Sequence, residues 1–254
     1  MLIVMAVHDT EQNDRSKYTK ECLNSFLDTV DLDKHRLFIS DNGSCSETQE
    51  IYTDFLNKAK YNKNITFSFN GINLGTANAI NLGIKTRQFK EHVCKADNDV
   101  FWHNSSWADQ IEYVFRDYEN VGVCGLKRED VWQNTEHENP LYRTFMDGRI
   151  EVCDDIIGTC TGLNYRLLDK VGYFNQPSGK YGGDDVLMSA RSISSGFKNC
   201  FLPHIKITHL DDGQNPYCDW KKKEAGFYLQ EIGMMVEMYK NGRLNTYYDG
   251  GFND

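Results

Sequence analysis

Short apolar runs alternate along the chain with longer segments whose apolar residues recur every three or four positions. The runs cover residues 2–7, 36–40, 65–69, 92–96 and 121–126, are rich in Val, Ile and Phe, and each gives way to polar residues with Gly or Asn. That is the pattern of buried strands ending in turns. Between the first four runs, residues 16–30 place Tyr18, Cys22, Leu23, Phe26, Leu27 and Val30 on one helical face. Residues 47–59 do the same with Ile51, Phe55, Leu56 and Ala59, and residues 76–89 with Ala77, Ile80, Ile84 and Phe89. Strand, helix, strand, helix predicts an α/β fold, a mostly parallel, Rossmann-like sheet flanked by helices. Ligands of such sheets bind at the carboxyl ends of the strands.

The pattern then changes. Residues 127–157 lose periodicity and contain Pro140 and Gly148, so they read as an insertion or a mobile loop. Apolar content resumes over 158–172, and "DDVLMSARSISSG" over 184–196 reads as a helix stopped by Gly196. Residues 199–210 predict one or two strands broken at Pro203. A helix is expected over 219–241, ended by Asn241-Gly242 and followed by a polar, Tyr-rich tail.

A hydrophobic share of 40% and a charged share of 26% are those of a globular protein and exclude a disordered chain, a coiled coil and a collagen-like fibre. No stretch approaches the ~18 apolar residues of a transmembrane helix. The opening "MLIVMAV" runs straight into His8 and Asp9, so it reads as a strand rather than a leader, and a cytoplasmic chain is expected. The net charge of −9 counts against broad nucleic-acid binding, with a local exception at Lys221, Lys222 and Lys223 beside Trp220. Eight cysteines without a Cys-x-x-Cys pair argue against a zinc ribbon. Cys94, Cys124 and Cys200 lie in apolar runs, as small hydrophobes do.

Polar residues collect where the strands end. Val7, His8 and Asp9 close the first run; Asp41, Asn42, Gly43 and Ser44 follow the second; Asn70, Gly71, Asn73 and Gly75 follow the third. Asp97, Asn98 and Asp99 follow the fourth. Taken singly, each group is an ordinary turn; four at one sheet edge make a site. Asp97 and Asp99, two apart at a strand-to-turn junction, can reach one hard divalent cation. Asp41 offers an acceptor to the N–H edge of a nucleobase. The small residues of "NGINLGTANAINLG" permit close backbone approach, and a helix N-terminus favours an anion. Asp184 and Asp185 follow Gly182-Gly183 at a predicted helix start, where one can cap the helix and the other serve as a general base. His209 is a candidate metal or phosphate ligand.

The succession "VMAVHD", "ISDNGS", "NLGTANAINLGI", "ADND", "GGDDVLMSAR" and "THL" resembles the GT-A fold glycosyltransferases of family 2, inverting enzymes that use nucleotide sugars, over roughly residues 2–210. The resemblance implies a single GT-A domain over 1–210, with a nucleotide-sugar-binding half at 1–99 and an acceptor and catalytic half at 100–210. Residues 211–254 would be a C-terminal helical extension. It implies that Asp41 contacts the base, a uracil of a UDP-sugar, and that Val7, His8, Asp9, Asn73, Gly75, Asn78, Asp97 and Asn98 bind the donor. It further implies that Asp97 and Asp99, with His209, hold Mn²⁺ or Mg²⁺ and that the Asp184-Asp185 pair supplies the base, by position Asp185. Three positions depart from the family pattern: the first-strand loop reads Ala6-Val7-His8-Asp9 rather than carrying Pro and Asn, Asn78 stands near an expected Arg, and Asp184 replaces the usual Glu.

The expected activity is therefore metal-dependent transfer of a sugar to an acceptor hydroxyl. The acceptor is either a saccharide or glycan, or a hydroxymethylated base in DNA, which Lys221–Lys223 with Trp220 and Tyr217 would suit. A nucleotidyltransferase would want a glycine-rich basic loop after the first strand, and "HDTEQNDRSK" has no glycine. A non-catalytic sugar-nucleotide-binding module would be expected to lose one of the carboxylate pairs, and both are present.

Overall fold

Leu2–Val7 is an almost unbroken apolar run, and a strand of that kind needs a partner on each edge and cover on each face. In the computed structural model this strand, β1, has both. The structure describes residues 1–129, 143–145, 149–156, 158–175, 177–211, 213 and 216–243. β1 pairs in parallel with β2 (Arg36–Asp41) and with β4 (Val93–Asp97), and β2 pairs in parallel with β3 (Ile65–Phe69). The register sets Val7 opposite Asp41 and Ala6 opposite Asp97, so three strands end side by side.

Alternate residues of β1 enter different layers. Ile3, Met5 and Val7 pack with Leu23 and Phe26 of α1 (Ser16–Thr29), Tyr52 and Phe55 of α2 (Ser46–Lys58), and Ile111 and Phe115 of α4 (Trp107–Asp117). Leu2 and Val4 pack on the other face with Ile80 and Ile84 of α3 (Thr76–Ile84) and Leu167 of α5 (Tyr165–Val171). Period-two alternation thus gives each sheet face its own helical cover. The fold is α/β with a central sheet between helices, as the sequence predicts.

Beyond β4 the sheet also takes up antiparallel strands. β5 (Val100–Trp102) follows β4 after only Asn98 and Asp99 and runs antiparallel to β10 (Lys198–His209). Antiparallel β9 (Cys160–Leu163) lies between β4 and β6 (Val121–Arg128). β10 is parallel to β6 and antiparallel to β8 (Ile150–Cys153), which in turn pairs with β7 (Arg143–Phe145). Strands joined without a helical crossover return antiparallel. β7 and β8 fall in the segment read as an insertion; residues 130–142, 146–148 and 157 of that segment, and the tail from 244, lie outside the described residues.

Other differences have local causes. α3 stops at Ile84, where Thr86 turns its N–H and hydroxyl onto the Gly83 carbonyl, so Phe89 is 88% exposed instead of completing an apolar face. β10 is continuous through Pro203, which falls within a register shift against β6 between Leu202 and Lys206. The last two helices are α6 (Asp184–Ser194) and α7 (Pro216–Lys240), the latter opening on a proline whose missing N–H costs nothing in a first turn. α7 packs on α6 through Ile232, Tyr239 and Leu187. Among the described residues no helix is long and apolar enough to cross a membrane.

Phe26 is fully buried, with its ring 5.9 Å from Trp102, which stacks on Trp107 at 5.3 Å. Phe26→Ala should cost ~3–5 kcal/mol, the range for an aromatic deleted from a close-packed core. The shift of the denaturant midpoint at unchanged slope measures it.

Candidate functional site

A cleft of about 780 Å³ opens at the carboxyl ends of β1 and β4. The end of β1 contributes Val7 and His8, the β3–α3 loop Asn73, and the β4–β5 junction Asp97, Asn98 and Asp99. Asp184, Asp185 and His209 complete the predicted residues that line it. Distant segments meet here because the parallel register ends the strands together and β10 returns antiparallel to β5, which brings His209 opposite Val100.

Asp99 is the most constrained of these groups. It is 2% exposed, forms a buried ion pair with Arg15, and lies 3.2 Å from His209 Nε2 through Oδ2. Burial alone would raise its pKa; the hydrogen bond and charge of His209 and the Arg15 guanidinium prevail and hold it well below the carboxylate range. His209 is half-buried, and Asp99 raises its pKa against that desolvation. Its Nδ1 is 2.8 Å from the backbone oxygen of Asp211, which can only accept, so Nδ1 carries a proton. Nε2 therefore faces Asp99 either protonated or with a bare lone pair. The other Asp99 oxygen, Oδ1, is buried and has no hydrogen-bond partner.

Arg15 has a second carboxylate. Asp211, 4% exposed, takes its other nitrogen, accepts Lys221 Nζ at 3.2 Å and the Gly213 N–H at 3.1 Å, and faces Cys218. The first turn of α1, the end of β4 and the segment after β10 are joined through one guanidinium.

Lys95 organises the remaining acids. It is 5% exposed, donates to the Gly158 carbonyl and to Asp97 Oδ1 at 2.8 Å, and lies 3.6 Å from Asp184. Asp185 accepts the Gly158 N–H at 3.0 Å on Oδ2. A Cβ on Gly158 would sit 2.8 Å from Asp185 Cβ and 3.0 Å from Lys95 Nζ, so only glycine leaves room for this approach. Burial, then the neighbouring Asp184 charge, pushes the Asp185 carboxyl up to about 6, against the pull of Lys95.

The loop leading into Asp184 is held by α7. Ser178 donates from its N–H and hydroxyl to Glu231, and Lys180 from its N–H to Glu224. A Cβ on Gly183, where φ is +80°, would lie 2.5 Å from Ile232, so helix and loop are in direct contact. Residues from Asp211 onward, read as an extension, thus form one wall of the cleft.

Four predicted donor-binding residues are not brought to the cleft surface. Asp9 is 0% exposed, with Thr19, Thr48 and Asn98 as donors to its carboxylate. Asp41 is 2% exposed and takes the Gly43 and Ser44 N–H groups and the Tyr52 hydroxyl. Gly75 is the N-cap of α3 at φ +87°, and Asn78 donates to the Leu74 carbonyl. Nor do the three predicted metal ligands converge: Asp97 turns to Lys95, while Asp99 and His209 face each other. Among the described residues one trio offers ligand atoms within 4.8 Å of one another, His35, Asp109 and Glu112. It lies at the opposite end of β1, where the Met1 amino group is 2.8 Å from Glu112.

Sequence reasoning missed Arg15, Lys95 and Asp211. Lys95 had a signal, since it stands two before Asp97 on a strand and so shares its face. Arg15 had none, because its partners lie 84 and 196 positions away.

Removing Arg15 strands two buried carboxylates. Arg15→Met should therefore cost ~3–5 kcal/mol at neutral pH. Asp99 and Asp211 both have depressed pKa values, so the stabilisation is complete above the ordinary aspartate value of 3.8 and declines as pH falls below it. Denaturant unfolding of both proteins at pH 7 and pH 3.5 should show the gap narrow.

The model of the family described as glycosyl transferase family 2 matches residues 3–172. No curated protein matches the sequence. Among solved structures, the mannosyltransferase PcManGT from Pyrobaculum calidifontis, in complex with GDP-Man and Mn²⁺, superposes with a TM-score of 0.65 at 16% identity, covering 86% of this chain and 59% of its own. S. aureus TarS 1–349 in complex with UDP-GlcNAc gives 0.61 at 15% identity, over 94% of this chain and 65% of that one. GalNAc-T7 with UDP, GalNAc and Mn²⁺ gives 0.61 at 12%, over 84% and 44%. The chain thus spans less than two thirds of each of these structures, and at such identities the likeness is one of fold. With the family model matching most of its length, on a GT-A-like sheet whose strand ends gather two acidic pairs, the chain belongs to glycosyl transferase family 2.

Proposed function

We propose that this protein transfers a sugar from a uridine diphosphate sugar to an acceptor hydroxyl, with inversion and with the help of a divalent cation. One observation carries the reading: Asp185, at the start of α6, opens onto the same cleft as the facing pair Asp99 and His209.

Asp185 is the general base. With its carboxyl pushed up to about 6, it is ionised at pH 7 yet basic enough to take a proton from a hydroxyl. The Gly158 N–H fixes one of its oxygens. As the proton passes to Asp185, the acceptor oxygen bonds to the anomeric carbon, and the bond from that carbon to the diphosphate oxygen breaks on the opposite face. Asp184, paired with Lys95, steadies the doublet and the loop behind it.

The donor set fits a hard or borderline cation. Asp99 Oδ1 is buried without a partner, and Oδ2 lies 3.2 Å from a ring nitrogen whose opposite nitrogen is already protonated. Asp99 and His209 would hold the ion, with Asp97 as a third candidate. When bound, such an ion offsets the charge of the leaving diphosphate. Val7, His8, Asn73 and Asn98 would line the donor. A cation and a nucleotide accord with the PcManGT complex with GDP-Man and Mn²⁺ and the GalNAc-T7 complex with UDP and Mn²⁺, and a uridine nucleotide with the TarS and GalNAc-T7 complexes.

Turnover of UDP-sugars, followed by release of UDP, tests the reading. EDTA should abolish it and Mn²⁺ or Mg²⁺ restore it, and Asp99→Asn should lose metal-dependent UDP binding; full activity in excess chelator would refute the role of the cation.

Asp185→Asn should lower kcat by ~10²–10⁴, the usual worth of a general base, with UDP affinity unchanged. In the parent, kcat should fall as pH drops through about 6, because protonation removes the base. A carboxyl whose folded pKa is raised costs stability once ionised, so Asp185→Asn should melt no lower than the parent at pH 7. Normal kcat in Asp185→Asn with a dead Asp184→Asn would exchange the two roles.

A further inference from the structure

One wall of the cleft lies apart from the residues proposed to line the donor. It is built by the first turns of α7. Trp220 stacks on Tyr217, ring centroids 5.4 Å apart and planes at 16°, and Tyr181 stands beside it at 6.4 Å and 49°. Lys221 lies over both tyrosine rings, at 5.2 Å and 5.6 Å, and is tied to Asp211. These contacts fix the indole in place while leaving it 38% exposed at the cleft. An aromatic face held rigid and half open is suited to stacking against a ring.

The next residue adds a charge. Lys222 is exposed, lines the cleft, and among the described residues forms no ion pair. Lys180 is likewise without one, but its charge acts on His8 at the end of β1 and so belongs to the donor side. Every other lysine or arginine lining the cleft is already engaged: Arg15 and Lys221 with Asp211, Lys95 with Asp97, and Arg128 in contacts of its own. Lys222 is therefore the available positive charge on the Trp220 side of the cleft, in a chain whose net charge is −9. A neutral ring would need only the stacking face.

We propose that Trp220 and Lys222 form the acceptor subsite and that it takes an anionic sugar, a ring carrying a phosphate or carboxylate. This rests on the transferase reading above. The ring stacks on Trp220 with its hydroxyl toward Asp185, and the anion meets Lys222. A nucleic-acid acceptor would need a longer basic track than Lys222 supplies beside cations already engaged with the acids of the cleft.

The test is direct binding, by calorimetry at low salt, to protein whose donor site is saturated with UDP and Mn²⁺. UDP binding is titrated first, and its failure would count against the proposed donor and not against this subsite, since the sugars are then titrated without it. The probes are glucose 6-phosphate, glucuronate, methyl glucoside and a single-stranded oligodeoxynucleotide bearing a hydroxymethylated base. Glucose 6-phosphate or glucuronate should bind at least tenfold more tightly than methyl glucoside. Lys222→Gln should remove that preference, and Trp220→Leu should weaken the sugars about tenfold while leaving UDP affinity intact. Which anion binds more tightly separates phosphate from carboxylate. The proposal is overturned if no sugar binds, if methyl glucoside matches the anions, if Lys222→Gln leaves the preference unchanged, or if the oligonucleotide binds best and depends on Trp220.

Discussion

Two buried carboxylates, Asp99 and Asp211, share one guanidinium, that of Arg15. Burying three charges is expensive, and such a cluster persists only where every partner stays in place. Its geometric consequence is larger than its net energy. Arg15 precedes α1, Asp99 lies between β4 and β5, and Asp211 follows β10, so the cluster fixes the cleft floor to both the first helix and the C-terminal wall. Asp99 can then present a depressed pKa to His209, and Asp211 can anchor Lys221 beneath the aromatic wall.

Lys95 does for the other half of the cleft what Arg15 does here. Asp97, Asp184 and Asp185 would repel one another in a dry site, and the ammonium between them lets all three be buried or half-buried together. The balance is incomplete at Asp185, whose carboxyl remains pushed up, and incompletely stabilised charge of that kind collects where chemistry is done. The acids of one cleft are thus divided into a clamped set around Arg15 and a set around Lys95 in which burial pushes Asp97 and Asp185 up, from groups that sequence alone would treat alike.

α7 ties the acidic doublet to the aromatic wall of the cleft. Glu224 and Glu231 hold the loop before Asp184, while the first turns of the same helix carry Tyr217, Trp220 and Lys222 into the cleft. A displacement of this helix would move doublet and aromatic wall together. That coupling makes a segment outside the matched family range, residues 3–172, part of the cleft.

Local periodicity and strand-end chemistry were legible in the sequence. The apolar runs gave the first four parallel strands within a residue or two, and their polar ends located the cleft, because period-two burial and turn residues are properties of neighbouring positions. The doublet Asp184-Asp185 and the triplet Asp97-Asn98-Asp99 were visible for the same reason. β5 was not, being a three-residue strand; in α4 the helical spacing of Trp107, Ile111, Val114 and Phe115 was present in the sequence but was not read. Nor could the sequence separate the fates of its aspartates: Asp9 and Asp41 satisfy internal donors, Asp97 turns to Lys95, and Asp99 is claimed by Arg15 and His209. Those assignments, with that of Asp211 to Arg15, depend on side chains from segments up to 196 positions apart. Hydrogen bonds and buried charges are paired only after the sheet has closed, so tertiary structure alone decided which carboxylates are spent on the fold and which are left for chemistry.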